Sequence, residues 1–444
     1  MENITKYLLK NKKLKHNALS YYSQFLGNAA IQIIFPFGMM LTWGADIFGI
    51  IIYLISIPSI TSILILNFNS GTRQEMIQAK IQGKKYFLNS IYSNFIFITW
   101  ITYIIFFLIS IFIINYFQFD RLKFFLDSKE IKIFLYLLFA SFFIKIIETI
   151  YVNKITYYGK FYIQKYMDIF SDIILKILMI LVGFLTDLLL YLFLVYFIVI
   201  LTKIIIYFYI GKNIKELKYD HNKINFDVII FLYQKSKQYI FNGFDELIKN
   251  SLMPIIIGQF FDFRMVSFFT TVKTMFFFFP QKFFLILNEI LQFDYIKLYY
   301  QKKNILLSKI FLKQNIITFL LLSLFLIFSF FFGKQIYNIW TNYYFNDINI
   351  NIIMYLTILE CFFISFGVSL VTILKSFNKA NLYYIISFIL YALVSILSYY
   401  FYKYGFKFET LFALSLIASI ITLVVSIFSL KFTLKYVKQK KIKS

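Results

Sequence analysis

Residues 18–41 read "ALSYYSQFLGNAAIQIIFPFGMML", twenty-four residues without a single charge, directly after the basic start "MENITKYLLKNKKLKHN" (residues 1–17). A membrane-spanning helix needs about 20 predominantly apolar residues, and this run supplies them. A basic start before an apolar run also raises a cleaved signal peptide, but the run is too long and lacks a small-residue cleavage site, so it reads as a retained first helix. The same pattern recurs along the chain. About twelve runs of spanning length lie near residues 17–41, 46–66, 88–114, 131–151, 161–185, 188–210, 228–257, 265–287, 308–332, 351–374, 381–402 and 408–430. Backbone polar groups in hydrocarbon must be satisfied within the protein, and these runs are too continuous for the alternating strands of a barrel. The expected fold is therefore an all-α polytopic membrane protein with about twelve transmembrane helices.

Composition agrees. Of 444 residues, 60% are hydrophobic and 15% charged, and mean hydropathy is +0.75, which excludes an ordinary soluble globule. The connections are short, about 5 to 20 residues, and contain no GxxxxGK[ST] phosphate loop. A soluble catalytic or ATP-hydrolysing domain is thus not expected. The one cysteine, Cys361, excludes an intramolecular disulfide and reads as a small packing residue.

A net charge of +24 would suit nucleic acid, but its distribution argues for topology. With loops assigned alternately to two sides, the side holding both termini carries 27 Lys and Arg, counting Lys309 at the margin of its run, and the other side carries 7. That asymmetry follows the positive-inside rule and predicts cytoplasmic termini and an even number of spans. The basic tail "KFTLKYVKQKKIKS" (residues 431–444) suits anionic lipid headgroups. Nothing else in the chain speaks for nucleic acid.

Two sets of six runs suggest a duplication. A shift of 218 residues places Pro36 on Pro254, Phe48-Gly49 on Val266-Ser267, Gln24 on Asn242 and Asn28 on Glu246, the kind of weak internal symmetry transporters show. The expected division is a six-helix lobe over residues 1–218 and a second over 219–444.

Charges inside the runs are the informative feature. In "KYMDIFSDIILK" (residues 165–176), Lys165, Asp168, Asp172 and Lys176 fall within about 80° of one helix face, and Asp172 and Lys176 are spaced to pair. In the seventh run Lys235, Gln238, Asn242, Asp245, Glu246 and Lys249 span about 100°. Lys273 lies about 13 Å from its helix end at 1.5 Å per residue, too deep to snorkel, and Glu360 is comparably deep. Lys145 and Glu148 are spaced as an i, i+3 pair. Lys132, Lys203, Lys282 and Lys313 lie near helix ends and are expected to snorkel. A charge at the bilayer centre costs about 2.5 to 3.5 kcal/mol on insertion scales. The two stripes should therefore face protein or a polar passage.

The opening helices carry a resemblance. "NALSYYSQFLGNAAIQIIFPFGMMLTWGADIFGIIIYL" (residues 17–54), with Asn17, Tyr21, Gln24, Pro36, Gly44 and Phe48-Gly49, resembles the start of the polysaccharide and O-antigen flippases of the MATE-like multidrug/oligosaccharidyl-lipid/polysaccharide (MOP) exporter superfamily. "NSGTRQEMIQAK" (residues 69–80), with Gly71 and Arg73, resembles the loop that follows in that family. Trp43 and Asp46 depart from the family pattern. The resemblance implies a two-lobed, alternating-access transporter in the bacterial inner membrane, acting on a polyprenyl-diphosphate-linked glycan alongside a polysaccharide polymerase and other assembly proteins. A diphosphate taken into a low-dielectric cleft needs cations, so Lys176, Lys249 and Lys273 are the candidate substrate-binding residues. Asp172, Asp245, Glu246 and Glu360 are the candidates for charge balance or for binding a coupling H⁺ or Na⁺. No other cofactor and no metal is expected.

Three other readings stand beside this one, of which a purely structural membrane subunit leaves the two deep polar stripes unexplained. A cation-coupled drug antiporter of the same superfamily fits the topology, although a lysine-rich cavity suits cationic substrates poorly. A membrane enzyme of glycan assembly fits less well, because the chain lacks a large external loop, and both histidines, His16 and His221, fall in expected cytoplasmic segments. An enzyme is therefore not expected.

Overall fold

The computed structural model describes residues 12–81, 83–116, 121–157, 161–212, 217–282, 304–346, 348–376, 380–405 and 407–439, with Phe284, Asn288, Leu291, Tyr295 and Leu298 between them. Every long element among these residues is helical. Helix α1 runs Lys12–Ile81, α2 Lys85–Tyr116, α3 Ser128–Tyr157, α4 Phe161–Leu185, α5 Leu189–Lys212 and α6 Phe226–Leu247. Then come α7 (Met253–Phe260), α8 (Phe263–Lys273), α9 (Asn304–Trp340), α10 (Ile350–Ser376), α11 (Asn381–Lys403) and α12 (Glu409–Gln439). Among the described residues eight helices are long and apolar enough to cross a membrane. The charged α4, α6 and α8 are not among them.

The first two expected spans lie in α1 and meet at Gly44. Its φ of 76° and ψ of 169° leave the helical path there, a conformation open to glycine because it has no Cβ. Beyond the second span α1 continues as helix to Ile81, where a cytoplasmic loop was expected. Met76 and Ala79 on this extension join Leu88, Ile91 and Tyr92 of α2 and Leu232 of α6 in one buried cluster, and that burial holds the segment helical. Gly71 faces α6 so closely that a Cβ would lie 2.6 Å from the Cα of Ser236.

Backbone packing divides the chain into two compact units, Met1–Ile255 and Ile256–Ser444. The boundary expected from the sequence, 218/219, falls ahead of α6. Helix α6 packs chiefly along α1, with α2 and the turn that follows α6 also adjoining it, so backbone packing groups it with the first unit. In that unit α1 also packs on α3 and α4, and α3 on α5; in the second, α12 packs on α10 and α11.

Two helices widen into π-turns, Ile248–Leu252 after α6 and Thr274–Phe278 after α8. Each precedes a proline by two residues, Pro254 and Pro280. Proline lacks the N–H that the helix ladder requires and clashes with the carbonyl four residues earlier, and a wider turn relieves both problems.

Candidate functional site

Both π-turns place a charged residue. Lys249 lies within the first and Lys273 caps the second, in keeping with the tendency of π-bulges to mark functional positions. All three candidate cations are already paired with candidate carboxylates. On α4, Lys176 Nζ donates to Asp172 Oδ2 at 2.9 Å, with the ammonium 5.7 Å from the centre of the Phe35 ring. One turn before the first π-bulge, Asp245 Oδ2 accepts from Lys249 Nζ at 2.6 Å, and the two side chains are 9% and 14% exposed. Glu246 points outward and accepts from Asn242 Nδ2 at 2.8 Å. Gln238 of the same stripe has a side chain outside the described set.

In the second unit Lys273 Nζ donates to Glu360 Oε2 in an ion pair whose side chains are 7% and 2% exposed. Glu360 also accepts from Ser415 Oγ at 3.0 Å and Tyr391 OH at 3.3 Å. The Lys273 ammonium lies 4.7 Å from the centre of the Phe277 ring and 5.8 Å from those of Phe269 and Phe412, a geometry that adds cation–π attraction. Cys361, beside Glu360, is fully buried, with its thiol 3.6 Å from the Phe277 carbonyl. It serves as a packing residue.

The structure adds a charged centre that sequence spacing did not reveal. Lys203 of α5, expected to snorkel, is instead held between Asp168 Oδ1 of α4 at 2.7 Å and Glu148 Oε1 of α3 at 2.9 Å. Tyr207 OH donates to the Gln164 carbonyl at 3.2 Å and to Asp168 at 3.4 Å. Burial among three helices, with two acceptors in reach, outweighs the pull of the interface. The α4 stripe is therefore divided: Asp168 bonds across to α5, while Asp172 and Lys176 pair within the helix. Glu148 reaches Lys203, and its expected partner Lys145 donates to Tyr196 OH at 3.0 Å, 4.5 Å from the centre of the Phe142 ring. The only sequence signal was that Glu148, Asp168 and Lys203 each lie toward the same expected membrane face.

Arg73, in the stretch that carries the family resemblance, donates through Nε to Asn153 Oδ1 at 3.2 Å, and Asn153 in turn donates to Asn69. These residues tie the α1 extension to α3. Among the described residues no group of three His, Cys, Asp or Glu side chains is placed to hold a metal ion.

Comparison with solved structures matches the whole described architecture. An inward-facing multidrug resistance MATE family transporter of the MOP superfamily aligns over 95% of this chain and 99% of its own, with a TM-score of 0.66 and 12% identity. The fold is that of the MATE transporters. An outward-facing MATE transporter aligns over 97% of this chain and 98% of its own, with a TM-score of 0.66 and 10% identity. A MOP superfamily transporter from Pyrococcus furiosus Vc1, described as having a binding pocket of reverse polarity that suggests a different function, aligns over 96% of both chains with a TM-score of 0.65 and 10% identity. No family model and no curated protein matches the sequence. The MATE fold and the apolar helices together make this a multi-pass membrane protein.

Proposed function

We propose that this chain is a flippase that moves a polyprenyl-diphosphate-linked oligosaccharide from the cytoplasmic to the outer leaflet of the bacterial inner membrane by alternating access, with both termini cytoplasmic. The observation that carries the reading is the pairing of Lys176, Lys249 and Lys273, all within helices, with Asp172, Asp245 and Glu360. An isolated buried ammonium is costly, and a carboxylate partner offsets part of that cost. Such a pair keeps the cation charged while the site is empty. It yields the ammonium to a diphosphate when the carboxylate is protonated or turns aside, and the same step couples transport to H⁺ or Na⁺. A chain evolved for cationic drugs would instead leave the carboxylates free and omit the lysines. The MOP transporter from Pyrococcus furiosus, whose pocket is described as reversed in polarity, offers a precedent within this fold for substrates other than those of the multidrug members.

The second reading, a cation-coupled drug antiporter, draws its support from the likeness to multidrug MATE transporters. Reconstitution in liposomes separates the two. A fluorescent polyprenyl-diphosphate glycan should reach the opposite leaflet faster than in protein-free liposomes, and Lys176→Gln, whose partner Asp172 stays 37% exposed to solvent, should slow it while leaving the amount of inserted protein unchanged. Transport of cationic dyes with no movement of several glycans would establish the antiporter instead.

A further inference from the structure

The connection between α9 and α10 holds a cavity of about 270 Å³ in the second unit, and none of the candidate substrate or charge-balance residues lines it. Lys334, Asn338, Asn346 and Asn349 line it, and Phe345 and Ile350 contribute buried apolar side chains. Among the described residues the three amide side chains and the ammonium make no hydrogen bond or ion pair, so the rim offers donors and acceptors with no internal use.

The turn over residues 341–346 that opens this connection is held in shape. Helix α9 ends in a Schellman arrangement, with Tyr343 N–H donating to the Asn338 carbonyl at 2.9 Å and Asn342 N–H to the Ile339 carbonyl at 3.2 Å. Asn342, with φ of 49°, is an accepted residue at that position, but Tyr343 follows with φ of 60°, where a bulky side chain costs about 1–3 kcal/mol. Arg264 of α8 donates to the Tyr344 carbonyl at 2.5 Å, and its guanidinium lies 5.9 Å from the centre of the Phe345 ring. Phe345 is itself wedged against Phe268 at 5.3 Å between ring centroids. The surrounding packing thus holds a strained turn that presents the amides.

We propose that this cavity binds one acidic monosaccharide unit. Pockets for drug-sized ligands run to about 300–1,000 Å³, so this one admits a single small polar group. Each amide presents both donors and an acceptor, which matches the mixed donor and acceptor character of sugar hydroxyls. Phe345 and Ile350, both buried, close the floor of the cavity and offer no ring-sized apolar face, so recognition rests on the amides and on Lys334, which selects a carboxylate on the sugar. The inference deepens the glycan reading of the substrate and rests on it.

The test is saturation-transfer NMR with glucuronic acid and glucose on the full-length protein in phosphatidylcholine nanodiscs. Glucuronic acid should bind saturably, and Asn346→Ala with Asn349→Ala should weaken it about tenfold, the loss of two modest hydrogen bonds. Both side chains are exposed, so an unchanged thermal midpoint shows that the variant folds. Lys334→Gln should weaken glucuronic acid and leave glucose unaltered. No saturable binding of either sugar, or equal affinity in the double variant, overturns the proposal. So does binding of glycerol phosphate alone, which would make the cavity a lipid-headgroup site. Sugar binding without glycan movement in liposomes would retain the pocket and remove the flippase, and glycan movement without sugar binding would do the reverse.

Discussion

Lys273 and Glu360, 87 residues apart in sequence, close on each other inside the second unit, and the carboxylate's other donors come from Ser415 and Tyr391. Removing one partner leaves the other charged and buried, at a cost of about 3–5 kcal/mol. Lys273→Ala should therefore lower the thermal midpoint in detergent sharply. The double variant Lys273→Met with Glu360→Leu should recover most of the loss, since Ser415 also donates to the Phe412 carbonyl and Tyr391 to that of Ser415. A double variant as unstable as the single one would show that the pair contributes more than mutual neutralisation. Glycan movement retained by the stable double variant would take both residues out of the transport mechanism.

The centre around Lys203 behaves differently because it holds two carboxylates. Lys203→Met leaves Glu148 and Asp168 facing one another without their cation, with an expected loss of about 3–5 kcal/mol. Glu148→Gln should cost less, since Asp168 still holds the ammonium at 2.7 Å. Comparing thermal midpoints of the two variants checks this order, and a Lys203→Met protein as stable as the parent would return that lysine to the interface.

Gly71 sets how closely α1 approaches α6. Its added Cβ would meet backbone, the Ser236 Cα, and not only the serine side chain. Gly71→Ala should cost about 1–3 kcal/mol, the usual range for overpacking. Ser236→Ala should fail to rescue it, because the obstructing Cα remains. Full rescue by Ser236→Ala would place the conflict in the hydroxyl alone.

Glu75 lies on the α1 extension beyond the second span, with Lys235 Nζ 3.7 Å away. Burial raises its carboxyl above the ordinary value of 4.5, and the attraction of Lys235 only partly offsets the shift. A carboxyl whose folded value is raised binds more protons in the folded state, so stability falls as pH rises from about 4.5 through the folded value. Unfolding followed between pH 4 and 7 should show that decline, and Glu75→Gln should flatten it. An unaltered profile in the variant would assign the decline to other groups.

Much of this protein follows from the chain alone. Uncharged runs of about 20 residues demand helices in a membrane, because hydrocarbon offers the backbone no partner, and Gly44 marks where the first two of them meet. The i, i+4 pair Asp172–Lys176 was legible for the same reason: helical geometry is local, so spacing of four suffices, and Asp245–Lys249, read from the sequence only as part of a stripe, has the same spacing. Tertiary structure alone decided the rest. Lys203 reads as an interfacial lysine until α3 and α4 bring carboxylates to it, and Lys273 reads as an unmatched deep cation until α10 supplies Glu360. The α1 extension is another such case, polar enough to read as a loop yet held helical by packing on α2 and α6. Periodicity specifies the face a residue occupies, whereas its partner depends on which helix packs against that face, and that choice belongs to the whole bundle.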